Sequence, residues 1–276
     1  MLCYDNHVHL NYIASDCDDF IARLESGGMY GCNVISVPPK GYIFTKETAD
    51  FDERLSSLLS LTNKAPDRLF PILFIHPDED DILSKVEYAA EKGVLGFKMM
   101  CSNYFVYEDK CMRVLEKLAK IDKPVLFHSG ILWDGKVSSS YNKPINWECC
   151  LEIPKLRFTL AHCSWPWIDE CIALYGKIRS AKQMNPEASC EMFIDITPGT
   201  PDIYRRELMT KLFLIGYGLE TNVLFGSDKR VQNYDSEAVA NLCRKDNIIY
   251  DEMNISEKAR EGIYGKNLLR FLNIGN

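Results

Sequence analysis

The chain has 276 residues, of which 46% are hydrophobic and 26% charged, a composition typical of a globular protein with a large buried core. Its formal net charge of −7 leaves no basic stripe for a phosphate backbone, so we expect no nucleic-acid partner. The sequence has no apolar run of 18 residues and no signal-peptide pattern, so we expect no membrane association and a cytoplasmic location.

Eight short apolar strands alternate with amphipathic helices along the chain. The predicted strands span residues 5–9, 32–37, 69–75, 94–100, 123–128, 157–162, 191–197 and 222–228. The predicted helices span residues 16–29, 45–63, 78–92, 109–121, 147–153, 167–184, 201–215, 237–246 and 256–272. This alternation predicts an α/β fold, a single-domain (β/α)8 TIM barrel over residues 1–276 with an extra C-terminal helix.

The alternative is a doubly wound open sheet, which would use the same order of strands and helices. No G-x-G-x-x-G motif follows the first strand, so the barrel is the better interpretation. The eleven cysteines are scattered without a C-x-x-C pair, and we expect them to be reduced, mostly buried thiols.

All five histidines lie at predicted strand ends: His7, His9, His76, His128 and His162. His7 and His9 share one face of the first strand because side chains alternate along a strand. The C-terminal rim of a barrel is where its active site is built, and Asp228 ends the eighth strand at the same rim. Imidazoles and a carboxylate together suit a divalent metal, zinc above all, with manganese, iron or cobalt as alternatives.

Several short segments also carry a family resemblance. They are His-Val-His at 7–9, Gly-Phe-Lys-Met at 96–99, Leu-Phe-His-Ser-Gly at 126–130, Leu-Ala-His-Cys at 160–163, Leu-Phe-Gly-Ser-Asp at 224–228 and Ile-Tyr-Gly-Lys-Asn at 263–267. In this order they resemble the amidohydrolase superfamily, and most closely its aminocarboxymuconate semialdehyde decarboxylase-like branch. The resemblance extends over essentially the whole chain.

The resemblance implies that His7, His9, His128 and Asp228 surround one divalent metal ion. Asp228 would also accept a proton from the attacking water. His162 would be either a ligand of a second metal or an acid or base beside the water, and we favour the second role.

Lys98 leaves a further alternative open. In relatives with two metals a lysine at this position is carbamylated and bridges the ions. The Gly-x-Lys pattern here resembles the branch with one metal, so we expect an unmodified Lys98 that is turned away or paired with a substrate anion. His76 matches no motif and is expected to have a structural role.

Four further residues are candidates for substrate binding. Trp133 lies in a long loop after the fifth strand and Trp165 follows His162, so both can contact a substrate or simply cover the barrel. Lys229 and Arg230 follow Asp228, where they would bind a substrate carboxylate or phosphate, unless they are ordinary surface charges.

The sequence therefore predicts a metal-dependent hydrolase that attacks an amide, ester or lactone bond of a small, carboxylated molecule. A non-oxidative decarboxylase with the same ligands is the alternative. A TatD-type phosphodiesterase fits less well, because that group has a glutamate where this chain has Lys98. A barrel kept only for binding would not need every ligand type to be present. Pairing into a homodimer stays open.

Overall fold

The structure is a computed structural model that describes residues 2–10, 16–42 and 47–275. Residue 45, the predicted start of the second helix, lies outside the described residues. Within them, no helix combines the length and apolarity that a membrane span requires. The eleven cysteines are all free thiols, as expected, and most of them are buried.

The strands form one parallel sheet in which neighbours along the chain are neighbours in space. Their bounds are β1 Tyr4–His9, β2 Gly31–Ile35, β3 Leu69–Phe74, β4 Gly96–Met99, β5 Val125–Phe127, β6 Arg157–Leu160, β7 Glu191–Asp195, β8 Val223–Leu224 and β9 Lys229–Arg230. The segment carrying β8 and β9 pairs with β7 on one side and with β1 on the other. The Asn6 backbone amide also donates to the Phe225 carbonyl (2.9 Å), so the sheet curls back on its first strand.

Helices follow the strands in the predicted alternation. Their bounds are α1 Cys17–Ser26, α2 Phe51–Thr62, α3 Ile82–Glu91, α4 Asp109–Lys120, α5 Ile168–Met184, α6 Arg205–Leu214, α7 Ser236–Glu252, α8 Glu257–Glu261 and α9 Asn267–Leu272. The predicted α/β barrel with an extra C-terminal helix is confirmed.

Three elements differ from their predictions in type or continuity, whereas the others differ only in their end residues. The eighth strand is split into β8 and β9 because Asp228 takes a left-handed backbone conformation (φ 56°), which breaks the strand. The short helix predicted at 147–153 is the 3₁₀ segment Pro144–Glu152. The last predicted helix is interrupted by a π-helical turn, Gly262–Lys266, between α8 and α9.

The inside of the barrel is packed with apolar side chains from the strands, and α9 covers its N-terminal end. Phe70, Phe193 and Leu224 belong to the same buried cluster as Phe271 of α9. The Asn267 amide of α9 donates to the Val223 carbonyl at the start of β8 (2.8 Å). With this end closed, the C-terminal rim is left to form a site.

A buried ion pair joins the elements that follow β7. Arg205, the first residue of α6, donates from Nε and Nη2 to the two carboxylate oxygens of Asp246 in α7 (2.9 and 2.7 Å). It also donates to the Ile196 carbonyl just beyond β7. This bidentate pair holds two helices to the end of the strand that supplies part of the site.

We expect Asp246→Ala to destabilise the protein by about 3–5 kcal/mol, because it leaves the buried Arg205 guanidinium without its anion. The neighbouring variant Lys245→Ala removes only the exposed pair with Asp202, and we expect a loss below about 1 kcal/mol. Urea unfolding followed by circular dichroism measures both. Equal losses would contradict a special role for the buried pair.

Candidate metal centre

A cavity of about 430 Å³ opens at the C-terminal rim of the barrel. Four of the five histidines line it, together with Lys98 and Asp228. The strands place them there, since His7 and His9 lie in the last part of β1, while His128 and His162 follow the ends of β5 and β6. The sequence-based prediction of one shared rim is thus met by these residues.

His7, His9 and Asp228 form the tightest group in this cavity. The two histidine Nε2 atoms lie 3.1 Å apart, and Asp228 Oδ1 lies 3.2 Å from His9 Nε2 and 3.7 Å from His7 Nε2. Within the described part of the chain, these three residues have ligand atoms that all lie within 4.8 Å of one another. Two imidazoles and one carboxylate, with a side open to a cavity, match the ligand set of a catalytic zinc site.

The protonation states of this group also suit a cation. Burial lowers the pKa of His7 well below its usual value, so its imidazole is neutral at neutral pH. Burial alone would raise the pKa of Asp228, but its hydrogen bond to His9 and the adjacent imidazoles hold that pKa below the usual range. Metal ligands must be unprotonated, and the shifts of His7 and Asp228 favour that state.

Asp195, the last residue of β7, orients His7. Its Oδ2 accepts a hydrogen bond from His7 Nδ1 (2.7 Å), which leaves His7 Nε2 directed at His9 and Asp228. The carboxylate is fully buried, and its Oδ1 accepts the Thr197 amide (2.7 Å). A carboxylate behind a ligating histidine fixes the tautomer and raises the basicity of the ring.

A bulge in β1 brings a second polar side chain to Asp195. The register of β1 against β2 shifts between Asp5 and Val8. Asn6 donates to Asp195 Oδ2 (2.9 Å), and Asn33 of β2 donates to Asn6 Oδ1 (3.0 Å). Bulges commonly redirect side chains at sites, and here Asn6 and His7 both reach the same carboxylate.

His162 is held by an unusual turn. His162, Cys163 and Ser164 have consecutive positive φ angles of 60°, 43° and 58°. Thr197 Oγ1 lies 3.0 Å from His162 Nδ1, which leaves Nε2 as the other ring nitrogen. A Cβ atom at Gly199 would lie 2.6 Å from His162 Cγ, so only glycine permits the ring to approach.

The turn carrying His162 is fastened to the loop after β5. The Ser129 hydroxyl donates to Ser164 Oγ (2.8 Å) and lies 3.1 Å from the Asn142 carbonyl. Left-handed non-glycine residues are strained, and they concentrate at functional sites, where a particular geometry is needed.

Burial lowers the pKa of His162, so its ring is neutral near pH 7 and can accept or relay a proton.

His128 faces the cavity but stands apart from the group of three. Its Nε2 donates to the Ile131 carbonyl (3.3 Å), and its ring centroid lies 5.1 Å from that of His162. Burial lowers its pKa well below the usual value. The metal-ligand role predicted for His128 therefore stays a prediction.

Lys98 lies on the cavity floor. Its Nζ is buried 3.4 Å from His7 Nε2. Burial lowers its pKa to about 8, although the carboxylates of Asp195 and Asp228 oppose this shift. Lys98 thus loses its proton more easily than an exposed lysine, which reduces the repulsion of a neighbouring cation.

The structure separates the four candidate substrate residues. Trp133, Trp165 and Arg230 line the cavity. Lys229 instead directs its ammonium towards Asp235 (3.7 Å). Successive residues of β9 point to opposite faces, so only one of the two cations reaches the site.

His76 does not line this cavity. Its Nδ1 accepts the Asp78 amide (3.2 Å), and its ring packs edge-on against Tyr104 (centroids 5.0 Å apart). The structural role expected for His76 stays a prediction.

Asp195 and Thr197 are site residues that no motif in the sequence marks. Both fall within the predicted seventh strand, where Asp195 is the one carboxylate that follows the apolar residues 192–194. No histidine motif marks that strand, so only the fold shows which ring each residue contacts.

The chain matches a known protein family over most of its length. The family model described as "Amidohydrolase" matches residues 40–274, most of the chain. No curated protein sequence matches this chain.

Solved structures share the fold at low sequence identity. One is a probable 2-pyrone-4,6-dicarboxylic acid hydrolase from Acinetobacter baumannii with citric acid bound (TM-score 0.63, 13% identity, 99% of this chain and 100% of that one). Another is a putative amidohydrolase from Staphylococcus aureus (TM-score 0.65, 13% identity, 99% and 100%). A third is dihydroorotase from Campylobacter jejuni (TM-score 0.59, 14% identity, 100% and 84%).

We expect Asp195→Asn to weaken zinc binding by about 10- to 100-fold, because an amide cannot accept hydrogen bonds from His7, Asn6 and Thr197 together. Competition against a chromogenic chelator measures the affinity. Asp202→Asn, at an exposed carboxylate, is the control and should leave the affinity unchanged. An unaltered affinity in Asp195→Asn would show that this contact does not support the centre.

Proposed function

Since the chain belongs to the amidohydrolase family, we propose that this enzyme is a metal-dependent hydrolase that cleaves an amide, ester or lactone bond of a small, carboxylated molecule. The observation that carries the proposal is the group formed by His7, His9 and Asp228 at the floor of a cavity large enough for such a molecule.

We assign the metal to these three residues, with His128 as a further ligand on the family resemblance alone. Zinc suits the ligand set best, and manganese, iron and cobalt are the other candidates. One ion is favoured over two because the Gly-x-Lys pattern at 96–98 resembles the branch with one metal.

A divalent cation at this place would polarise the carbonyl of the scissile bond and acidify the attacking water. The residues divide the remaining work between them. Asp228 is ionised and accepts the proton of the water. His162, whose Nδ1 is held by Thr197, is proposed to accept this proton at Nε2 and pass it to the leaving group, which returns the ring to its neutral form.

Arg230 is the candidate for binding the carboxylate of the substrate. It lines the cavity and is exposed, and in the described part of the chain no carboxylate forms an ion pair with it. A guanidinium binds a carboxylate through two parallel hydrogen bonds, which also orients the substrate.

The metal and proton-transfer roles are separable by mutation. We expect His9→Ala to lose both zinc and activity, and His162→Gln to keep zinc while kcat falls by about 10²- to 10⁴-fold. His76→Gln is the matched control, a histidine outside the cavity that should keep both. Metal analysis of purified protein gives the zinc content, and a panel containing p-nitrophenyl acetate and dihydrocoumarin measures hydrolysis.

Retention of full zinc by His9→Ala would contradict the ligand assignment. His128→Ala tests the fourth ligand, since zinc affinity falls only if that imidazole coordinates the ion. Release of carbon dioxide from a carboxylated substrate without hydrolysis would instead support the decarboxylase alternative.

A further inference from the structure

The cavity is divided into a polar side and an apolar side. Its metal-binding and proton-transfer groups come from β1, from the residues that follow β5 and β6, and from the β8–β9 segment, and Lys98 of β4 lies beside them. Its apolar side is formed by the last residue of β3 and by residues that follow β2, β4 and β5, which together we call the apolar wall: Tyr42, Phe74, Met100 and Leu132. All four belong to one buried hydrophobic cluster.

The side chains of the apolar wall are packed in one buried cluster, and the one hydroxyl among them, on Tyr42, already donates a hydrogen bond. The exposed fraction of its side chains is 5–8%. The Tyr42 hydroxyl donates to the Met100 carbonyl (2.9 Å), and the Tyr42 and Phe74 ring centroids lie 5.0 Å apart. A polar substituent placed here would lose its hydration without gaining a partner, whereas a hydrocarbon ring would be stabilised.

Trp133 extends this apolar surface to the cavity mouth. It follows Leu132 in the loop after β5 and lines the cavity, yet 75% of its side chain is exposed. An apolar ligand against the wall would cover part of this indole and so gain further buried area.

Positive charge in the cavity is scarce. Lys98 lies on the floor beside His7, and Lys229 faces Asp235 outside the cavity. Among the described lining residues, Arg230 is the cation at the mouth. A second substrate carboxylate at the mouth would meet no second exposed side-chain cation among the described lining residues.

We propose that the substrate is a monocarboxylate with an apolar, ring-sized body on the acyl side of the scissile bond. Its ring lies against the apolar wall, its carbonyl over His7, His9 and Asp228, and its carboxylate at Arg230. This substrate class rests on the proposed hydrolase function. It differs from a dicarboxylic acid, the class named for the Acinetobacter baumannii protein of similar fold.

Three amides separate the ring from the carboxylate. N-benzoylglycine has both groups, N-acetylglycine lacks the ring, and N-methylbenzamide lacks the carboxylate. We expect zinc-loaded protein to bind N-benzoylglycine about 10- to 100-fold more tightly than N-acetylglycine, the gain from burying one aromatic ring. Isothermal titration calorimetry gives the dissociation constants, and chromatography of the same mixtures measures hydrolysis.

Two variants assign each contribution to its residues. Leu132→Ala combined with Trp133→Ala should remove most of the preference for the ring. Arg230→Gln should remove the preference for N-benzoylglycine over N-methylbenzamide and leave the ring preference intact. Val137→Ser is the matched control, because Val137 lies in the same loop, is 97% exposed and does not line the cavity.

The results separate a failure of this substrate class from a failure of the proposed hydrolase function. Equal affinity for N-benzoylglycine and N-acetylglycine, or a ring preference that survives loss of Leu132 and Trp133, would overturn the substrate class even if hydrolysis occurs. A ring preference that is lost in the Leu132 and Trp133 double variant supports the substrate class. If such a preference is found but no amide, ester or lactone is hydrolysed, the hydrolase function alone is overturned.

Discussion

The hydrogen bond between Asp195 and His7 is the contact on which the centre depends. It joins β7 to β1 across the barrel, and it directs the metal-facing nitrogen of His7 towards His9 and Asp228. The same carboxylate accepts a hydrogen bond from the Thr197 backbone amide, and the Thr197 hydroxyl in turn contacts His162 Nδ1. One buried anion therefore positions both a proposed metal ligand and the proposed proton carrier, and it is stabilised by donors from Asn6 and Thr197.

The rim carries strain that the rest of the barrel supports. Three left-handed residues at His162 and another at Asp228 are unfavourable locally, and they persist because packed elements surround them. The Ser129–Ser164 contact and the close approach of Gly199 restrict the turn of His162. At the N-terminal end of the barrel, the Phe193 and Phe271 rings pack edge-on, and this buried apolar contact stabilises the fold that holds the rim.

The site and its surroundings suggest a division of labour within one cavity. The groups proposed for the chemistry lie on β1, after β5 and β6, and in the β8–β9 segment, while the apolar wall and Arg230 are the residues proposed to bind the rest of the substrate. The Tyr42 hydroxyl donates its hydrogen bond to the Met100 carbonyl, so the apolar wall donates none to the groups proposed for the reaction.

The sequence by itself determined the order of strands and helices, because hydrophobic periodicity is local, and it placed the four cavity-lining histidines and Asp228 at one rim, because parallel strands end together. The tertiary structure decided which partners each ring has. The bulge in β1, the left-handed turn after β6 and the break at Asp228 depend on contacts between residues far apart in sequence, such as His7 and Asp195. The opposite orientations of Lys229 and Arg230 likewise appeared only once β9 was paired with β1, since a charge pattern does not reveal which face of a strand turns inward.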